Sequence, residues 1–350
     1  MPRRALIRPP PDCPRPGGAG DTQARVDYSQ SAVVGRRRWL AGLATSVCAP
    51  VLVGCSEPEP ALRVGTTVAP GTELLFLARE LQLLSAQRVR LVELLARTDN
   101  MRLMEEGRLD ALACSLDEMM TLRYKGVDLR IVAVLDISQG ADALVARAGL
   151  SSLAQLRGAR VGAEDSVTGS ALYDKLMEAA DLKAEDAIRV PITTDQSVAM
   201  YLSERVDAVL TSEPWVSQLE ALGAVRLYDS SRAPQRFVNV LAVRAEVTGR
   251  LDSLRHLVAA HFQGLTRYRS EPAQAGLVMA PRLLMAPQDV PQAFRGLLLP
   301  DLVLNHEMLR QGGRFGQLVQ ALQKSLVDRR LLRQAVAFEQ LADARFLPVL

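Results

Sequence analysis

The chain has 350 residues, 48% hydrophobic and 23% charged, with 23 glycines and 19 prolines, which excludes a collagen-like, low-complexity or disordered protein and leaves room for one or two buried cores. The net charge of +3 is set by the first 54 residues, which carry eight arginines and three aspartates; the other 296 hold 34 basic and 36 acidic residues. That near-neutral balance and 4% aromatic content predict no nucleic-acid surface.

Residues 1–54 read as an address. Arg36, Arg37 and Arg38 precede an uncharged stretch from Trp39 to Gly54, in the order of a secretory signal. Sixteen residues with Pro50 among them are too short for a permanent membrane helix, so a cleaved leader is expected. The RRRWL segment resembles a twin-arginine export signal with Gly35 in place of the usual serine, and Sec export stays open beside it. Leu52-Val53-Gly54-Cys55 resembles the bacterial lipobox, which implies lipidation of Cys55 and a tether over residues 55–61. Cys13 and Cys48 leave with the leader, so Cys114 alone remains and no intrachain disulfide is expected. His256, His261 and His306 lack ligand spacing, and no metal site is expected.

From Leu62 onward, short apolar runs alternate with amphipathic stretches, the pattern of β-α units around a mainly parallel sheet. A strand is predicted over Leu62–Thr66, then a helix carrying Leu74, Leu75, Ala78, Leu81 and Leu84 on one stripe. A strand over Val89–Leu94, a short helix ended by Gly107 and a strand over Asp110–Cys114 come next. Another helix ends at Gly126, Leu129–Leu135 is β-rich, and Ala143–Ala146 is long enough only for a strand or a crossing. Arg63-Val64-Gly65 then recurs as Arg160-Val161-Gly162, and Arg108-Leu109-Asp110-Ala111-Leu112 as Arg205-Val206-Asp207-Ala208-Val209, both displaced by 97 residues. Two matches at one offset predict two similar lobes. Phe237–Arg244 echoes Ala143–Arg147, and the two segments are expected to form a two-strand hinge. Beyond Ala245 the pattern is helical, punctuated by prolines at 272, 281, 287, 291 and 300, and these helices should pack on lobe one.

The segments APGTELLFLARELQLL, EEGRLDALACSLDEMM, GVDLRIVAVLDISQGADALVA, SLAQLRGARVGAEDSVTGSAL and RVDAVLTSEPW, in this order, resemble the solute-binding proteins of bacterial ABC importers, in the group that takes nitrate, sulfonate, taurine and thiamine precursors. The resemblance implies an α/β, two-lobe periplasmic-binding-protein fold of type II-like form, with lobe one over residues 62–141, lobe two over 142–241, and 242–350 returning to lobe one. It also implies a monomeric, membrane-anchored partner of an ABC permease and its ATPase, holding a small molecule between the lobes and using no cofactor.

In open parallel sheets, ligands bind beyond the carboxyl ends of the strands. The candidates there are Thr67, Gly71, Thr72 and Glu73 after the first strand, Arg97, Ser115, Asp136 with Gln139, the run Ser166, Thr168, Gly169 and Ser170, and Glu213 with Trp215. Each has a plainer reading. Ser166 or Thr168 caps a helix, Thr72 and Glu73 open one, Asp136 and Gln139 make a turn with Gly140, Trp215 covers a lobe edge, and Arg97 is solvated. The loops are rich in carboxylates, so a zwitterion such as taurine, or an aminopyrimidine, suits them better than a bare anion. The chain lacks a Gly-x-Ser-x-Gly elbow, a P-loop and a His-Glu-x-x-His motif, so no catalytic residue is singled out and an enzyme is not expected. A ligand-sensing lipoprotein and a thiamine-pyrimidine-type enzyme on the same fold are the alternatives.

Overall fold

A computed structural model describes residues 59–233, 237–310, 313–328, 335, 337 and 340–350. The leader, the lipobox cysteine Cys55 and most of the tether lie outside the described residues. From Glu57 the chain forms one compact unit.

The first lobe opens with β1 (Leu62–Thr67), α1 (Pro70–Glu80), β2 (Val89–Leu94), α2 (Arg97–Glu105), β3 (Ala111–Ser115), α3 (Leu116–Tyr124) and β4 (Leu129–Ser138). Proline at the first position starts α1, and its stripe of Leu74, Leu75, Leu77 and Ala78 is buried. The expected stripe ran on to Leu84, but the helix stops at Glu80 because Gln82 turns into the left-handed region (φ 59°) and Leu83 N–H bonds back to Ala78 O. Leu84 stays buried from the turn rather than from the helix.

The chain then crosses into a second sheet with β5 (Asp142–Ala146), β6 (Arg160–Glu164), α4 (Val167–Ala180), β7 (Ile188–Ile192), α5 (Ser197–Leu202), β8 (Ala208–Ser212), α6 (Trp215–Ala221) and β9 (Val225–Asp229). It returns as β10 (Val238–Arg244) and finishes with α7 (Leu251–Ser270), α8 (Pro272–Leu283), α9 (Val290–Ala293), β11 (Leu297–Leu298), α10 (Leu302–Leu309) and α11 (Arg314–Asp328). The sheet orders are β11-β4-β10-β3-β1-β2 and β7-β6-β8-β5-β9. In both, the strand carrying the Arg-Val-Gly motif lies parallel to the one that begins at the Ala of the Asp-Ala motif. Apolar cores cover both faces of the second sheet, with Leu172 and Leu176 of α4 on one side and Val216 and Leu219 of α6 on the other.

The repeated residues bind each other. Asp110 accepts from the backbone N–H of Arg63 (2.7 Å) and from its guanidinium (2.8 and 3.0 Å), and Asp207 does the same for Arg160 (2.8, 2.6 and 3.0 Å). Each clamp joins the start of a β-strand to the loop entering its parallel neighbour. Arg147 and Arg244 play matching parts in the two lobes, though in the opposite chain order to the repeat. Their backbone N–H groups donate to Asp207 O and Asp110 O, and their guanidinium groups to the carbonyls of Val206 and Leu109.

The segments expected to bend, 142–146 and 238–244, are interior strands of the two sheets. The chain passes between lobes just before each of them, between β4 and β5 and between β9 and β10. The Ser138 and Ser230 hydroxyls share a 2.6 Å hydrogen bond, and Gly140 N–H donates to Ser230 Oγ (2.8 Å), tying the two crossings together. Among the described residues no helix is long and apolar enough to span a membrane.

Candidate functional site

Strand ends from both lobes converge on Arg97, the first residue of α2. Its side chain is 13% exposed and lies 3.5 Å from Glu118 Oε2 of lobe one and 3.5 Å from Glu164 Oε2 of lobe two. Asp136 and Asp142 act on the same guanidinium. Burial by itself would lower the arginine's pKa, but Glu118, Glu164, Asp142 and Asp136 together hold it above its ordinary value, so it stays cationic. A second bridge crosses the cleft nearby, a 2.6 Å hydrogen bond between the hydroxyls of Ser115 and Thr168.

Local folding fixes each of these groups. Ser115 caps α3 with a reciprocal pair of bonds, Glu118 N–H to Ser115 Oγ (3.1 Å) and Ser115 N–H to Glu118 Oε2 (2.8 Å). Ser166 caps α4, accepting from Gly169 N–H (3.0 Å), and donates to Glu164 Oε2 (2.8 Å), so a cap residue also aims a cleft carboxylate. Asp136 and Asn239 face each other across β4 and β10, and Asn239 Nδ2 donates to Asp136 Oδ1 (2.7 Å). The glycines follow from close approach. A Cβ on Gly71 would fall 1.9 Å from Asp136 Oδ2, and one on Gly169 would fall 2.2 Å from Glu164 O.

Among the described residues, two small cavities lie in the cleft. One of about 10 Å³ is lined by Thr67, Thr72, Arg97, Cys114, Asp136 and Asn239, and one of about 20 Å³ by Arg97, Asp136, Ser138, Asp142, Ser212 and Glu213. Neither exceeds the space of roughly one water. Burial pushes Asp136 up to about 6, against the opposing bond from Asn239, and pushes Glu213 up to about 7, against the bonds from the Ser217 N–H and hydroxyl. Glu164 and Asp142 are raised by the same cause. Burial also raises Cys114 well above a free thiol, so it is no ready nucleophile.

Thus Thr67, Gly71, Thr72, Arg97, Ser115, Asp136, Ser166, Thr168, Gly169 and Glu213 gather at or beside the cleft. Glu73 does not. It is fully buried, but Arg282 of α8 takes its carboxylate (2.9 and 3.2 Å) while stacking at 3.4 Å over Phe76, so α1 carries it into a structural ion network. The Ser170 hydroxyl accepts from Arg189 (3.2 Å) instead. Gln139 is exposed at the crossing, its backbone N–H donating to Gly296 O (2.7 Å), and Trp215 is buried at the start of α6 rather than presented as a stacking face. Arg97 is not solvated but faces the protein's own carboxylates. Glu118 and Glu164 appear in the sequence only among many loop acids, and Asp142 and Asn239 were not anticipated at all. Asn239 left one signal, as the single polar residue between Phe237 and Val243 in an otherwise apolar run.

The fold is that of the periplasmic binding proteins. The ligand-binding component of an ABC-type import system from Staphylococcus aureus, solved with zinc bound, superposes with a TM-score of 0.67 at 15% identity over 83% of this chain and 98% of that one. The alkanesulfonate-binding protein SsuA from Xanthomonas axonopodis pv. citri, bound to MOPS, gives 0.67 at 17% identity over 82% and 99%. Comparison with curated protein sequences finds no significant match. The desulfurization enzyme DSZB shares the architecture as well, with a TM-score of 0.59 at 19% identity over 83% of this chain and 98% of its own. The expectation of a non-enzyme therefore falls, because it rested on the absence of familiar motifs and this enzyme shares the architecture. That protein is an enzyme on the same fold, and lacking a familiar motif excludes no chemistry. Residues 56–280 match the NMT1-like family, and the chain belongs to it.

Proposed function

We propose that the protein is the substrate-binding component of an ABC importer, capturing a small nitrogen-bearing solute between its lobes and delivering it to a membrane permease with its ATPase. The reading is carried by one observation: hydroxyls and carboxylates from both lobes meet around Arg97, through Ser115–Thr168 and Glu118–Arg97–Glu164. A group that bridges both halves couples their closure to what lies between them. The lobes would turn about the crossings beside the 142–146 and 238–244 strands.

The acid-rich lining supports a zwitterion or protonated nitrogen ring, of taurine-like or pyrimidine-like kind, over a bare sulfonate or nitrate. MOPS, bound by the alkanesulfonate-binding relative, itself joins a sulfonate to an amine. Ligand contact would come from Thr67, Thr72, Ser115, Asp136, Thr168 and Glu213. Residues 1–54 would direct export, by the twin-arginine or Sec route, and lipid on Cys55 would hold a monomer at a membrane facing the periplasm.

Thermal melting against taurine, ethanesulfonate, nitrate and aminopyrimidines tests this. A bound solute at 100 times its Kd adds about 2.7 kcal/mol, an upward shift of several degrees. A selective response to a nitrogen-bearing member is expected, and a flat response across the panel contradicts the proposal.

A further inference from the structure

Arg97 is held unlike the two repeated clamp arginines, Arg63 and Arg160. Its two carboxylate contacts are both 3.5 Å, longer than the roughly 2.8 Å of a well-formed charge-assisted hydrogen bond, whereas Arg63 and Arg160 hold their aspartates at 2.6–3.0 Å. Glu118 is 1% exposed, faces this guanidinium, and has one oxygen, Oε1, buried without a hydrogen-bond partner. A buried carboxylate oxygen with no donor is a costly arrangement that a ligand donor would relieve. The cavities around Arg97, about 10 and 20 Å³, are too small for an organic solute while that side chain stays in place.

From these three observations we infer that Arg97 is a tethered stand-in for the ligand's cationic group, which enters by displacing the guanidinium from Glu118 and Glu164. This rests on the solute-binding reading above and narrows it to solutes carrying an ammonium, amidinium or guanidinium group. Four carboxylates, Glu118, Asp136, Asp142 and Glu164, face Arg97 before binding; afterwards they face the bound cation, with the displaced guanidinium still tethered beside it. Arg97 also sets specificity, since a solute must outcompete a cation already bound to the chain. An anionic solute offers nothing to these carboxylates.

The test is calorimetric titration of guanidinium chloride at millimolar concentration into the wild-type protein and Arg97→Ala, with ethanesulfonate as the anionic control. With the internal competitor gone, Arg97→Ala should bind guanidinium at least tenfold tighter than the wild type, and neither protein should bind ethanesulfonate. Unchanged or weaker guanidinium binding by folded Arg97→Ala overturns the inference, as does ethanesulfonate binding that the variant loses, which would make Arg97 an anion anchor. Should Arg97→Ala fail to fold, Arg97→Lys keeps the charge but cannot reach both carboxylates with one planar fork, and a tightening of about threefold is expected from it; no tightening overturns the inference. If guanidinium fails on the variants while a panel solute still raises the wild-type melting temperature, the exchange is wrong and solute capture survives. If Arg97→Ala takes guanidinium while the panel leaves the wild type unmoved, the exchange stands and the importer reading fails.

Discussion

The chain places arginine against carboxylate in two ways that share little beyond chemistry. Arg63–Asp110 and Arg160–Asp207 are short clamps within one lobe, each aspartate also taking a backbone N–H, with arginines 44% and 43% exposed. Arg97 is buried, spans two lobes, and touches its carboxylates only at 3.5 Å. The clamps lower the pKa of Asp110 and Asp207, so those groups are settled in their ionised form. The cleft raises Asp136, Asp142, Glu164 and Glu213, so its carboxylates are poorly compensated by what now faces them. A pair that is short, local and repeated builds the fold. One that is long, buried and bridging leaves interaction energy for a ligand to claim.

The largest effect that would sharpen this contrast is expected from Arg97→Ala, which strands buried carboxylates and should cost about 3 kcal/mol at pH 7.5. Protonation relieves the stranded groups, so urea unfolding at pH 5 should show most of that loss recovered. Equal losses at both pH values would place Arg97 with the clamps.

Asp136→Asn comes next, with the opposite sign. The Asp136 pKa rises from 3.8 to about 6 through burial, with Asp142 adding to the rise and Asn239 and Arg97 opposing it. Its contribution is therefore intact below pH 3.8 and lost as pH rises through 6, and the asparagine variant should be more stable at pH 7 by roughly 2 kcal/mol. Its stability should also vary less between pH 4 and 6 than the wild type's.

The clamps should respond less. Asp110→Ala removes a partly solvated ion pair and one bond to the backbone, a loss of about 1–2 kcal/mol. Because the folded Asp110 pKa lies below 3.8, that loss should be constant from pH 5 to 8 in unfolding titrations. Asp207→Ala should cost less still, as solvent reaches Asp207 more freely, 30% against 12%. A loss from either variant that varies with pH in this range would break the distinction.

What was legible in the sequence follows the same division. The 97-residue repeat is visible because its members, Arg63 and Asp110 with Arg160 and Asp207, do the same local work in each lobe and so recur at fixed spacing. The strand-end loops that hold Thr67, Ser115, Asp136 and Thr168 were legible from the β-α order alone. The roles of Arg97, Glu118, Glu164 and Asn239 were not, since they depend on which strand ends meet across two sheets, a relation with no local spacing. Glu73 shows the opposite failure. Its place in the first turn of α1 promised the cleft, and only a helix 209 residues away supplies the arginine that claims it.

The central claim, that the cleft carboxylates are reserved for a cation, is tested most directly by the pH dependence of guanidinium binding to the wild-type protein between pH 5 and 8. A cation favours the ionised forms of Asp136, which faces Asp142 and Arg97, and of Glu213, which faces Arg226 and Glu220. Affinity should then rise by roughly tenfold across the range, with protons released on binding. An affinity that is flat, or that falls as pH rises, would contradict the account.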